Sequence, residues 1–408
     1  MPRGDVESIP MPQRVLTTIV VLCLCSAGLA QDNWLLTTAD FKAEPVVLKS
    51  FDSLALKVTS MSGDERTVPI DRFLDIRRSL LVAPASGRFI LHMTGGDQLG
   101  GEPLVLKAES LVWKNPTLGE VEIPTSRLSG ITPPGRAAPA ERGHEDVVSL
   151  SNGDIVRGII ASMSGDKIAV QTSSGNTEVP LASVASIVFA ATPGGAAAQR
   201  GFRVRLDDGS SLIGVDAKLE GDVLALTLGR GAQRKIALAH VAVIEQVNGP
   251  VSWLSARQPS EALYQPFIGP PREPAVYMDR SWRGDRPIVF KDRTFAHGIG
   301  VHAYSRLSWP LDGKYACLRT RYAVDGDSTL ADVTVRIKLD DKVVYEQMDV
   351  RAGVLSPVII QDLNGARKLT LEVDGGAAYA QDSFDWIEPA LLRDKPPEPP
   401  ATMPGDPR

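Results

Sequence analysis

One short pattern, a proline followed after six intervening residues by an isoleucine, recurs between residues 40 and 248 of this 408-residue chain and limits its architecture more than any other feature. It runs from Pro69 to Ile76, Pro124 to Ile131 and Pro180 to Ile187, and a fourth copy, Ala237 to Ile244, has lost the proline. Successive starts lie 55, 56 and 57 residues apart. The turn glycines Gly96, Gly153 and Gly209 keep the same step. Ser60-Met61-Ser62-Gly63-Asp64 returns as Ser162-Met163-Ser164-Gly165-Asp166, with Gly221-Asp222 as a remnant. Self-similarity at a fixed period of this length means one supersecondary unit used four times.

Within a unit, short alternating or apolar runs are separated by Gly-Asp, Asn-Gly or Asp-Gly turns, as in Val147–Leu150, Ile155–Ala161, Ile168–Thr172 and Val184–Phe189. Runs bounded by such turn chemistry predict four or five strands per unit. A unit of this size rolls into a small SH3-like or Sm-like barrel or stacks as a β-solenoid. Domains this small bury only about 60% of their unfolded surface, so neighbouring units should pack together. The first unit is short between Asp64 and Pro69 and is expected to lack a strand. Segments rich in Ala, Gly and Pro, Pro133 to Glu145 and Thr192 to Arg200, act as linkers. Residues 40–135 thus hold two repeats and 146–248 two more. Their polar residues are accounted for by turns and solvated strand faces, which suits a spacer or scaffold, with partner binding along sheet edges as the other reading.

The N-terminus sets the compartment. Arg14 precedes an apolar run, Val15 to Leu24, and the small-residue stretch Ser26 to Ala30 follows it, the layout of a secretory signal peptide cut after Ala30 (residues 1–30). Asp5 and Glu7 sit badly in a positive n-region, and a start at Met11 would remove them. The run is too short for a stable membrane span. Leu precedes both Cys23 and Cys25, which disfavours lipid attachment. Past Ala30 only Cys317 is left of three cysteines, so the folded chain depends on hydrophobic cores rather than intramolecular disulfides. A net charge of −5 offers no basic excess for nucleic acid or anionic lipid. The expected location is secreted, periplasmic or cell-envelope, with no membrane insertion after signal cleavage.

From Arg280 onward alternation is regular. Ile299, Val301 and Ala303 share one face, leaving Gly298, Gly300 and His302 on the other, where glycine admits a close backbone approach. Leu318, Thr320, Tyr322 and Val324 alternate against Cys317, Arg319 and Arg321. Val333, Val335, Ile337 and Leu339 alternate against Thr334, Arg336 and Lys338, then Asp340-Asp341-Lys342 turns into a return strand. Leu369, Leu371 and Val373 repeat the pattern. An antiparallel β-sandwich results, and no amphipathic helix of normal length competes with it. The final stretch, 395–408, is proline-rich and expected to be disordered.

The run Ala296-His297-Gly298-Ile299-Gly300-Val301-His302-Ala303, then Leu311-Asp312-Gly313-Lys314-Tyr315, then Asp382-Ser383-Phe384-Asp385-Trp386 closed by Ala390, resembles the NPCBM family of carbohydrate-binding modules. Val251-Ser252-Trp253-Leu254-Ser255 and Pro266-Phe267 resemble the lead-in to that domain. The resemblance covers residues 250–394. It implies a galactose-binding-like β-sandwich, a domain often attached to carbohydrate-active enzymes such as glycoside hydrolase family 98. The chain departs from the pattern at Asp341-Lys342, where the family often has Asp-Gly, and at Ser383, where it often has His. The fold class is therefore all-β: tandem small barrel-like repeats followed by a galactose-binding-like sandwich.

Sugar sites join an aromatic platform to carboxylates, amides or Arg that bond hydroxyls. His302, Tyr379, Gln381, Asp382, Asp385 and Trp386 supply those types, with Trp282 and Arg283 as weaker candidates. A Trp near the end of a sandwich strand also suits the core, and His302 also suits a buried structural role. His297 and His302, five apart in a strand, face opposite ways and cannot share a metal. Galactose-binding-like folds commonly hold a structural calcium, for which Asp325-Gly326-Asp327 offers oxygens; an ordinary acidic turn explains the same residues. No other cofactor is implied. Asp382, Asp385 and Glu388 build no catalytic carboxylate pair across a cleft, Cys317 sits among alternating core positions, and there is no Gly-x-Ser-x-Gly elbow. The chain is thus expected to be a non-enzymatic exported protein that binds a polysaccharide or glycoconjugate, galactose-containing ones included. The alternative is an envelope scaffold whose module no longer binds sugar. In either case the repeats are expected to form a stalk.

Overall fold

A computed structural model describes residues 33–395 except 79–82, 135–142, 192–199, 266–269, 271–275, 283, 285, 327 and 377–381. The expected signal peptide (1–30), residues 396–408 of the expected tail, Pro266-Phe267, Arg283, Asp327, Tyr379 and Gln381 lie outside the described residues. Every described element is a strand or a one-turn 3-10 helix, so the chain is all-β.

Each repeat unit has five strand positions. The third unit shows the plan: Asp146–Leu150, Ile155–Ser164, Lys167–Thr172, Gly175–Pro180 and Val184–Val188, with the first strand pairing both the second and the fifth. The first unit keeps all five, including Glu65–Pro69, so the expected loss of a strand is corrected. Five residues still suffice there because the hairpin spans only the turn around Gly63. In the fourth unit the long second strand is broken into Ser211–Gly214 and Asp216–Glu220. Closure of each unit through its first and fifth strands makes small open barrels rather than a solenoid.

The repeated motif now has a physical meaning. Its proline ends the fourth strand and caps a 3-10 turn, as at Pro69 before Ile70–Arg72 and Pro180 before Leu181–Ser183, where a fixed φ near −65° is already the geometry required. Its isoleucine then lies in the fifth strand, fully buried at Ile76, Ile131, Ile187 and Ile244. Fifth strands pair with one another: Ile76 faces Ile244 across the first and fourth units, and Ile131 faces Ile187 across the second and third. The second and third units are joined again at Met163 to Leu106, and the second and fourth touch at Ser211 to Gln98. One continuous core runs through all four. The stalk expectation is therefore corrected. Edge strands that would be exposed in a linear array pair across units, and this closes the four into one cluster.

The C-terminal sandwich has two sheets. One runs in the order Tyr277–Met278, Gly298–His302, Ser383–Leu392, Cys317–Val324, Ile359–Asp362, with Val251–Trp253 added beside Ser383–Leu392. The other runs Glu261–Tyr264, Ser305–Pro310, Lys368–Gly375, Val333–Leu339, Lys342–Val350. Between them pack Ile299, Val301, Trp309, Tyr322, Val335, Leu371, Phe384 and Trp386.

The sandwich is seated on the first and fourth units through a buried charged node. Asp75 and Arg77 come from the fifth strand of the first unit, Arg203, Arg205 and Glu245 from the fourth unit, and Asp279 and His297 from the sandwich. His297 Nε2 lies 3.0 Å from Asp75 Oδ2 and 2.8 Å from Arg77 Nη2, and Nδ1 is 3.4 Å from Asp279. Arg203 bonds Glu245 at 2.6 Å and Arg205 lies 3.7 Å from Asp279. Trp253 stacks on the His297 ring at 4.0 Å. Burial and Arg77 oppose a charge on His297, but Asp279 and Asp75 outweigh them and hold its pKa above the usual value. Burial would raise Asp75, yet Arg77 and His297 bring it down to about 2. Beside the node, Leu74, Val251, Trp253, Cys317, Ala390 and Leu392 form an apolar seam.

Candidate functional site

The strand Gly298–His302 turns Ile299 and Val301 into the sandwich core and Gly298, Gly300 and His302 outward, as alternation predicts. Its partner Ser383–Leu392 does the same: Trp386 lies opposite Ile299 on the core side and Asp385 opposite Gly300 on the outer side. Over this outer face lies the backbone of Ser281 and Trp282. Gly300 is what lets it sit there, because a Cβ at that position would come within 2.4 Å of the backbone of Ser281 and Trp282.

This arrangement corrects three expectations. Trp386 is fully buried, packed edge-on against Tyr322 and Phe384, and presents no platform, since its place in the alternation faces the opposite sheet. Asp385 is buried under the Trp282 segment, whose backbone amide it accepts, and burial together with the nearby Asp325 pushes its carboxyl well above the usual range. It positions the overlying segment and does not face solvent. Asp382 is fully buried, and burial raises its pKa against the opposing pull of His302 and the Asp332 backbone. Its backbone carbonyl accepts from Ala303, which ties the closing motif to the strand of His302.

His302 remains at the surface edge, half-buried, opposite Ser383. The aromatic partners that gather around it are ones ranked lower or not singled out from sequence. Trp282 lies 5.1 Å from the His302 ring, Tyr264 6.2 Å from it edge-on, and Tyr277 5.8 Å from Trp282. All four rings are half-buried. Arg286, in the same segment as Trp282, pairs with Asp325 at 2.7 Å. That pair occupies the Asp325-Gly326 turn with a guanidinium, so the described residues there do not fit a calcium ion.

Tyr264 and Trp282 belong to different elements, one to an edge strand of the second sheet and one to a loop over the first. No local sequence pattern links them. The outward glycines Gly298 and Gly300 were the available signal, because a strand face stripped of side chains must be covered by another segment.

A family model and several solved structures are similar to parts of this chain. The family model of the NPCBM/NEW2 domain matches residues 251–392. No curated protein matches the chain. Among solved structures, a CBM51 module of a Clostridium perfringens GH95 protein, solved with methyl-galactose, is 20% identical over 35% of this chain and 99% of its own, with a TM-score of 0.30. The CBM51-2 and INT domains of Clostridium perfringens ZmpB are 22% identical over 43% of this chain and 37% of theirs, TM-score 0.30. Tandem CBM51 modules of a family 98 glycoside hydrolase from Streptococcus pneumoniae are 11% identical over 88% of each chain, TM-score 0.31. Residues 251–392 of this all-β chain, with their outward glycine strand, closing Asp-Ser-Phe-Asp-Trp motif and Trp253 lead-in, are an NPCBM/NEW2 domain.

Proposed function

We propose that the chain is an exported, non-catalytic glycan-binding protein whose NPCBM domain takes a sugar at the rim formed by Trp282, His302 and Tyr264. One observation carries this: three half-exposed rings from three separate elements converge at the sheet edge, held by a segment that Gly300 and Asp385 fix in place. Such rings offer apolar faces to the C–H side of a pyranose, and the imidazole offers a hydrogen bond to a hydroxyl. In this reading His302 contacts the sugar, whereas Asp382 and Asp385 act behind the surface. The methyl-galactose bound by the Clostridium GH95 module makes galactosides the first ligands to try.

Affinity electrophoresis and titration calorimetry of the full chain against galactose- and N-acetylglucosamine-containing glycans test the reading. Retardation that Trp282→Ala abolishes is the expected result. A chain that no polysaccharide retards, or one whose retardation ignores Trp282→Ala, would sink it.

A further inference from the structure

Strand pairings between repeat units, among the described residues, join equivalent positions. Ile131 of the second unit faces Ile187 of the third, and Ile76 of the first faces Ile244 of the fourth, each being the isoleucine of the repeated motif. Met163 of the third unit meets Leu106, which lies 57 residues earlier, the step that also separates Gly153 from Gly96. Gln98 and Ser211, which follow the turn glycines Gly96 and Gly209 at the same distance, pair with each other where the second and fourth units touch. That last contact is reciprocal. Asp97 accepts the backbone amide of Ile213 at 2.6 Å, and Ser210, the counterpart of Asp97, accepts that of Gly100, the counterpart of Ile213, at 3.1 Å. A surface that pairs with its own equivalent about a local two-fold is isologous, the kind by which identical chains form closed dimers.

The third unit carries a copy of this surface that is not used within the chain. Its equivalent residues are Asp154, Ile155 and Arg157. Ile155 pairs with Ser149 on one side of its strand, and on the other side the ladder begins only at Ile159. The start of the strand is therefore a free edge, where Gln98 and Ser211 have each other. Ile155 is 55% exposed, and Ile159, four residues on, is 63% exposed. At the same place in the second unit Leu99 and Gly100 are buried. Asp154 takes the Asn152 amide on Oδ2 at 2.7 Å, and Arg157 makes no ion pair among the described residues. The start in the first unit, Ala43, opens onto a cleft whose opposite wall is Arg293 and Phe295 of the NPCBM domain, too narrow to admit a barrel.

We infer that the third unit is a self-association surface occupied by the third unit of a second copy of this chain. Ile155 faces Ile155 on the two-fold axis, and the Asp154 carboxylate of each copy accepts the Arg157 amide of the other. The contact of the second unit with the fourth supplies the geometry. The exposed isoleucines supply the apolar area that their polar counterparts Gln98 and Ser211 lack. A different protein would have to reproduce a carboxylate and a free amide at this spacing, whereas a second copy carries both. One such surface per chain closes the assembly at two. The assignment does not depend on whether the aromatic rim takes a sugar.

Analytical ultracentrifugation of the full chain should show a monomer–dimer equilibrium in the micromolar range, in keeping with a small interface. Ile155→Asp should weaken it about tenfold or more, because like charges then oppose each other on the axis. Val343→Asp, on an edge strand of the NPCBM sandwich, should leave it unchanged. Under a mild oxidant Ile155→Cys should give a covalent dimer, since directly opposed strand residues lie about 4.5–5.5 Å apart between Cα atoms, within disulfide reach. The native Cys317 is buried and does not compete. Leu54→Cys, at a more exposed position, should cross-link far more slowly. Ile155 lies outside the core, so its variants keep the fold. The assignment is overturned if the chain sediments as one copy up to about 100 μM, or as more than two. It is also overturned if Ile155→Asp associates like wild type, if Val343→Asp dissociates the dimer, or if Ile155→Cys cross-links no faster than Leu54→Cys.

Discussion

Replacing His297 by Ala removes the centre of the charged node that seats the NPCBM domain on the repeats. His297 is 2% exposed and sits between Asp75 at 3.0 Å and Asp279 at 3.4 Å, with Trp253 stacked on its face. Deleting one member of a buried ion network costs about 3–5 kcal/mol, since the charges left behind stay desolvated. Arg77 still bonds Asp75 at 2.8 Å and Arg205 still lies near Asp279, so the lower end, about 3 kcal/mol, applies. At about 2 °C per kcal/mol for a large cooperative unit, the melting temperature should fall by roughly 6 °C. The sign of the pH dependence follows from the raised pKa of His297. Its contribution is complete below the unfolded value of 6.5 and is lost as pH rises through the folded one. Asp75, lowered to about 2, contributes fully above 3.8 and loses that contribution as pH falls toward about 2. The node is strongest between those limits, and calorimetric melting should show the widest gap between wild type and His297→Ala in mildly acidic buffer, narrowing in alkaline buffer. A variant melting within about 1 °C of wild type, or a gap that widens with pH, would refute this account.

Gly300→Ala should displace the Trp282 segment, costing about 1–3 kcal/mol by overpacking and weakening glycan retardation with it; retardation equal to wild type would show that the segment does not build the site. Trp386→Ala should cost about 3–5 kcal/mol in chemical denaturation as a core deletion, and a near-neutral result would remove it from the core. Asp97, buried where the second and fourth units meet, is raised to about 6 by burial against the pull of Arg127. Its contribution is therefore full below 3.8 and lost as pH rises through about 6, a span of about 3 kcal/mol. Asp97→Asn should flatten the melting curve across that interval, and an unchanged slope would count against it. Asp385→Asn keeps the acceptor for the Trp282 amide without a buried carboxyl, so stability should hold or rise while Asp385→Leu loosens Trp282, readable in tryptophan fluorescence.

The repeats were legible because one local demand, a proline-capped turn feeding a core isoleucine, is met four times at nearly constant spacing. A further set of glycines carries the same period. Gly101, Gly158 and Gly214 keep the same step, and each lies where a neighbouring carbonyl comes within 2.0–2.7 Å of the position a Cβ would take, so the long second strand can bend there. The pairing of the first unit with the fourth was not legible. It depends on which fifth strands find each other, and nothing local in Phe73–Arg77 names Val241–Val247 as its partner. A hint was present in Asp75 and Arg77, charges on a strand whose other residues are apolar, which read as solvated until the sandwich covers them. For the site, alternation already contained the correction: Asp385 and Trp386 are adjacent in a strand and must face opposite ways, so they could not serve one sugar together.

The node also fixes where any ligand would meet the domain. His297 immediately precedes the strand that ends in His302, a separation of about 17 Å at 3.3 Å per residue, and Glu388 donates its backbone amide to the carbonyl of His297. One end of this strand is therefore clamped to the repeats, and the other carries the aromatic rim. His297, buried between Asp75 and Asp279, ties the rim-bearing strand to the first repeat unit.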